Sequence, residues 1–265
     1  MKTVTISALS LFLALSSCNV KLDEGFSLNM TPKIGTGTIK NKVYNMTFDE
    51  IKVVQSINAE VEKAEEEKVV VTAPSDILED IIVENVNGKL YIHFKSGSNI
   101  SARNVGVKIF AKDFSAVRAS SSATINIKDK FTQEKTIIQV SSSADITGNL
   151  EANDMTIDVS SSGSFTGQVW AVDLTSEATS SGDITISGKA KNANLTASSS
   201  GDLNAQKLIV AYADLKASSS GDIRVSVSNE LNAAASSSGD INVTRKGNLN
   251  ILSNEKSSGG SISIN

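Results

Sequence analysis

The chain has 265 residues, 40% hydrophobic but only 5% aromatic, with two prolines and a formal net charge of −4. That balance excludes the basic footprint of a nucleic-acid binder and a polybasic patch for anionic lipid. One cysteine and one histidine exclude a disulfide framework and a Cys/His zinc set, and leave His93 as the sole imidazole for any triad.

Residues 1–17 read as a lipoprotein signal peptide. Lys2 precedes a short apolar run, residues 4–15, interrupted by Thr5, Ser7 and Ser10. The run is too short and too polar to span a bilayer, which takes about twenty residues. It ends Leu15-Ser16-Ser17-Cys18, a spacing that resembles a bacterial lipobox. Cys18 is therefore the predicted lipid-attachment residue and the membrane a predicted partner, since several acyl chains on one cysteine anchor stably. The alternative is a leftover cysteine after an ordinary signal peptide.

Residues 18–43 are polar, carry Pro32 and Gly35-Thr36-Gly37, and show no sustained period, as expected of a flexible tether. Within them, Asp23-Glu24 after Lys21 resembles the short acidic surface-export signals of Bacteroidetes lipoproteins.

Residues 44–116 are rich in strand character, at 48–54, 57–61, 68–72, 81–84, 90–94 and 105–111. Asn87-Gly88 signals a hairpin, residues 74–79 one helical turn, and Glu65-Glu66-Glu67 a solvated loop tip. This part is expected to form early rungs of a β solenoid or a β cap over its N-terminal end.

Residues 117–265 repeat one phrase, Ala-Ser-Ser-Ser-Gly-Asp-Ile, clean at 217–223 and 235–241. The small residue after the serines recurs at Ala123, Ala144, Gly163, Gly182, Gly201, Gly221, Gly239 and Gly260, in steps of 18–21 residues. Such self-similarity means stacked units that bury one another. Period-two alternation and β-branched, Ser- and Gly-rich copies exclude helical repeats. The predicted fold class is all-β: a single-stranded parallel β-helix of about 18–21 residues per coil.

Alternation places Ile125, Ile146, Phe165, Ile184, Leu203, Ile223, Ile241 and Ile262 in one inward ladder. Val117, Ile138, Ile157, Leu195 and Leu215 form another, interrupted by Ser176 and Ala233. The middle serines (Ser121, Ser142, Ser161, Ser199, Ser219, Ser237) are expected to face inward and the outer ones to make a flat polar stripe. Gly-Asp is expected to bend the chain, glycine supplying positive φ and aspartate an acceptor. The variable segments 168–172 (with Trp170), 188–193, 207–212 and 227–231 are expected on one face, where solenoids often take partners.

Chemistry is sparse. His93 lies on an alternating strand as an ordinary face residue. No Gly-x-Ser-x-Gly elbow exists, and serines without an adjacent base are not nucleophiles. No catalytic residue and no cofactor are predicted. Asp183, Asp202, Asp222 and Asp240 fall one per coil and are the candidates for a calcium ladder. They lack the dense Gly-Gly-x-Gly-x-Asp pattern of calcium rolls, so each is expected to serve its own Asx turn, with no metal.

The lipobox, the opening strand Phe48-Asp49-Glu50-Ile51-Lys52-Val53, Lys68-Val69-Val70-Val71, Asn87-Gly88-Lys89-Leu90 and the Ser-Ser-Gly-Asp copies together resemble a known family. It is the putative auto-transporter adhesin, head GIN domain family of Bacteroidetes, and the likeness covers residues 48–243. It implies a β-helical fold, an envelope location and a role in adhesion, and brings no catalytic residues.

The leading expectation is a lipid-anchored, non-enzymatic protein of the outer membrane, binding a glycan or surface protein through a solenoid face. A periplasm-facing structural or regulatory lipoprotein is the alternative, and a polysaccharide-cleaving β-helix enzyme, lacking the usual clusters of acids or bases, a more distant one.

Overall fold

An alternating β segment with one apolar face has nothing to bury that face except the coil before it and the coil after it. The computed structural model describes residues 31–265. The predicted signal peptide, Cys18 and the first part of the predicted tether lie outside the described residues.

The strands are β1 (Ile39–Asn45), β2 (Glu50–Val54), β3 (Asn58–Lys63), β4 (Lys68–Pro74), β5 (Ile81–Val86), β6 (Lys89–Phe94), β7 (Gly106–Ala111), β8 (Ala116–Ser120) and β9 (Thr124–Ile127). They continue with β10 (Phe131–Val140), β11 (Asp145–Val159), β12 (Ser164–Ala178), β13 (Asp183–Ala197), β14 (Asp202–Ala217), β15 (Asp222–Ala235), β16 (Asp240–Arg245), β17 (Asn250–Lys256) and β18 (Ser261–Ile264). A short 3₁₀ turn, Leu78–Asp80, overlaps the end of the helical turn expected at residues 74–79. Together they build a parallel β-solenoid of about 8 turns.

The predicted tether is shorter than expected. β1 pairs antiparallel with β4 along its whole length, from Ile39↔Pro74 to Asn45↔Lys68, and Lys33 bridges Ile100. β1 covers an edge that would otherwise leave N–H and C=O groups unpaired. It shows no period in sequence because neither of its faces is buried: Ile39 and Val43 are both more than half exposed.

The region before the serine repeat is both cap and rungs. β5 and β6 form the expected hairpin, with Asn87 (φ 54°) and Gly88 (φ 82°) at its tip. β6 and β7 make a rung on which β2 and β3 lie parallel, and β8 and β9 lie on β2 and β3 in turn. Spatial order therefore departs from chain order. The β2–β3 rung also holds the repeat's turn under another sequence. Gln55 and Ser56 take the left-handed conformation (φ 61° and 57°), buried Ile57 stands at the small-residue position, and Asn58 pairs with Thr124.

From β11 to β15 each coil pairs with the next in nearly unbroken register. Both predicted aliphatic ladders are buried, every member at 6% exposure or less. Each Ile or Leu in them contributes roughly 1.5–3 kcal/mol.

Three details of the turn differ from expectation. The middle serines face solvent, not the core: Ser199 is exposed, and Gly201 takes the inward place. The bend is made by the second and third serines, both left-handed (Ser199 φ 51°, Ser200 φ 62°), and not by glycine. Gly201 N–H donates to Ser198 O at 2.9 Å, closing a type I′ turn. Glycine is needed for closeness: a Cβ on Gly182 would lie 2.5 Å from Val159 O of the preceding coil. Finally, the aspartates make no Asx bond to the turn. The third serine's N–H instead donates to the middle serine's carbonyl one coil on, as from Ser181 to Ser199 and Ser200 to Ser219 (both 3.1 Å).

Candidate functional site

In the long strands β11 and β12 the inward row passes a corner at which a half-buried glycine takes the place between two buried side chains. In β11 that corner is Thr147-Gly148-Asn149 and in β12 Thr166-Gly167-Gln168. Gly148 has no room for a side chain, since a Cβ there would sit 2.7 Å from the Cβ of Ile127. The tight corner leaves a groove of about 530 Å³ running across successive coils.

Stacking turns this corner into a lattice. One column is Thr147, Thr166, Thr185 and Asn204, and a second is Asn149, Gln168, Ser187 and Lys207. Neighbours in a column are about 4.8 Å apart, and residues two apart on a strand about 7 Å. Asn149 Oδ1 accepts from Gln168 N–H at 3.2 Å, and Thr147 donates to Asn126 Oδ1 at 3.3 Å. β14 carries a register irregularity after Thr185, which brings Lys207 opposite Ser187.

A third column, Glu151, Trp170, Lys189 and Ile209, flanks the groove. Trp170 is 46% exposed, and beside it lies a depression of about 320 Å³ that shares Asn149 and Gln168 with the groove. Gly188 (φ 115°) stands in register with Val169, where a Cβ would collide with Val169 O. Glu151 is held below the usual carboxylate range by hydrogen bonds from Lys130 and Thr132, both 2.9 Å.

The predicted aspartates do stack, in the order Asp183, Asp202, Asp222, Asp240, with Asp145 and Ser164 completing the column toward the N-terminal coils. Arg224 takes Asp202, and among the described residues no three acidic, histidine or cysteine side chains converge as metal ligands. Burial pushes Asp222 above the ordinary aspartate value, and Asp202 and Asp240 add to this against the opposing pull of Arg224. His93 stacks on Tyr91 with ring centroids 4.3 Å apart, and its Nδ1 and Nε2 lie 2.7 Å from Phe94 O and 3.3 Å from Glu84. Among the described residues no serine hydroxyl hydrogen-bonds to it.

Sequence reasoning marked Trp170 only as part of a variable segment and missed the Thr and Asn/Gln columns. Their signal was present as two tetrads, Thr147-Gly148-Asn149-Leu150 and Thr166-Gly167-Gln168-Val169, in step with the repeat. Lys189 and Lys207 carried no such signal, because the register shift that places Lys207 is invisible in a single copy.

The sequence profile of the putative auto-transporter adhesin, head GIN domain family matches residues 47–247. No curated protein matches the sequence. Among solved structures, a putative adhesin from Parabacteroides distasonis is similar at 22% identity and a TM-score of 0.77, over 87% of this chain and 99% of that one. A putative adhesin from Parabacteroides merdae is similar at 18% and 0.78, over 88% and 98%. A third structure, a putative lipid binding protein from Parabacteroides distasonis, is similar at 20% and 0.75, over 89% and 100%. At these identities the likeness is one of fold.

Proposed function

The chain belongs to the putative auto-transporter adhesin, head GIN domain family, and on that premise we propose that it is a lipid-anchored, non-catalytic adhesin holding a glycan chain in the corner groove. Membership supports an adhesin-type role at the cell envelope. Anchoring at Cys18 in the outer membrane rests on the lipobox.

The observation that carries the glycan reading is exposed Trp170 beside a lattice of Thr, Asn and Gln side chains. A sugar ring offers an apolar C–H face and a rim of hydroxyls. An indole face suits the first, and groups that both donate and accept suit the second. A ligand built of repeating units meets equivalent columns at successive coils, so individually weak contacts act together. The interior is filled by the aliphatic ladders, which favours an outer surface over an internal ligand cavity.

The test is a polysaccharide panel on the full-length protein and its Trp170→Ala variant. Retention of a glycan by the wild type and its loss in the variant, at unchanged melting temperature, is the expected outcome. A wild type that retains none of the panel overturns the reading. Protease shaving of intact and lysed cells tests location: loss from intact cells supports a surface adhesin. Protection until lysis replaces it with a periplasm-facing structural or regulatory lipoprotein.

A further inference from the structure

Three depressions join around Trp170. The groove and the indole-side depression share Asn149 and Gln168; the latter shares Trp170 and Lys189 with a trough of about 390 Å³. Their charged lining residues are Lys130, Lys189, Lys191 and Lys207 against a single acid, Glu151. Glu151 is already engaged by Lys130 and Thr132. Lys189, Lys191 and Lys207 therefore have no carboxylate within ion-pair distance among the described residues.

This concentration runs against the chain, which is net acidic at −4. Elsewhere some lysines are neutralised by a carboxylate: Lys108 lies 2.8 Å from Glu62, Lys128 2.9 Å from Glu60, and Lys42 2.6 Å from Glu79. Around the exposed indole three lysines without a carboxylate partner line one connected surface. Lys207 joins them through the irregularity of β14, and such irregularities re-aim side chains next to sites.

Resting on the glycan reading, we infer that the ligand is an anionic polysaccharide, its rings stacking on Trp170 while their carboxylate or sulfate groups meet Lys189, Lys191 and Lys207. A lysine is a point charge on a flexible stem and suits either anion, whereas arginine's planar fork would favour bidentate pairing. Like charges clustered on an acidic chain also steer polyanions toward this face and away from the rest of the surface.

The experiment compares binding of polygalacturonate, chondroitin sulfate, neutral dextran and inorganic polyphosphate to the full-length protein. Its variants are Trp170→Ala and the double substitution Lys189→Gln with Lys207→Gln. The expected result is binding of the uronate or the sulfated chain, weakened by salt and about tenfold by the double substitution. It should be lost in Trp170→Ala; which of the two chains binds identifies the anion. Dextran binding as tight as the acidic chains, unaffected by the lysine substitutions, overturns the anionic inference and leaves the glycan reading standing. Polyphosphate binding equally well and indifferent to Trp170→Ala overturns it as well, since charge alone would then suffice. Failure of every polysaccharide removes both readings together.

Discussion

Arg224 reaches back across one coil to Asp202: its Nη1 lies 2.8 Å and 2.9 Å from the two carboxylate oxygens, while Nη2 stands 3.7 Å from Asp222. One guanidinium thus serves two rungs of an acidic column, with Asp202 receiving the better share.

That division has a pH signature. Burial first, then Asp202 and Asp240, hold Asp222 above its ordinary value of 3.8, and Arg224 only partly offsets them. The folded chain therefore binds this proton more tightly than the unfolded chain does. The resulting stabilisation is full below 3.8 and is lost as pH rises through the raised value. Asp222→Asn should melt above wild type at neutral pH and level with it below 3.8. Calorimetry across that range is the check; a variant that melts lower at neutral pH would refute the assignment.

Ser176 interrupts an aliphatic ladder between Ile157 and Leu195, is fully buried, and its hydroxyl has no partner. Leaving a buried polar group unsatisfied costs about 1–3 kcal/mol. Ser176→Val should raise the urea midpoint by the equivalent of about 1 kcal/mol or more with no change in slope. An unchanged midpoint would mean that the hydroxyl is satisfied in solution.

The turns offer opposite responses at adjacent positions. Ser180 and Ser181 sit at φ 49° and 60°, where asparagine and glycine are better tolerated. Ser180→Asn with Ser181→Gly should stabilise by about 1 kcal/mol. Gly182→Ala places a Cβ against Val159 O and should destabilise by about 1–3 kcal/mol. A shared upward shift would refute the close approach of Gly182, and a shared downward shift the left-handed serine pair.

Much of the solenoid was legible because the repeat is regular where burial demands it. Each Ile or Leu two residues past the small residue faces the core, and a one-residue slip would expose the whole ladder. The turn was misread for a reason internal to its chemistry. Period two carries an inward assignment past Ala197 to Ser199, but two successive left-handed residues swing Ser199 and Ser200 out to solvent, and the inward row resumes in the same parity at Gly201 and Leu203. Gln55-Ser56 escaped notice because a turn conformation, and not a serine triplet, is what the rung requires. β1 was hidden because an edge strand with both faces wet writes no alternation. The groove was half visible: its columns repeat, but their convergence at a corner is a property of the bend.

The placement of β2 and β3 between two rungs that come later in the chain has a consequence for synthesis. Residues 50–63 are made first, yet both surfaces of their rung stay open until residues 89–127 exist to cover them. Up to that point assembly depends on distant partners. Beyond it, each new coil meets a finished template only about nineteen residues upstream, and closing so short a loop is fast and inexpensive in entropy. The nascent protein thus has one slow commitment near its beginning, after which growth proceeds by accretion, one coil at a time, in the order of translation.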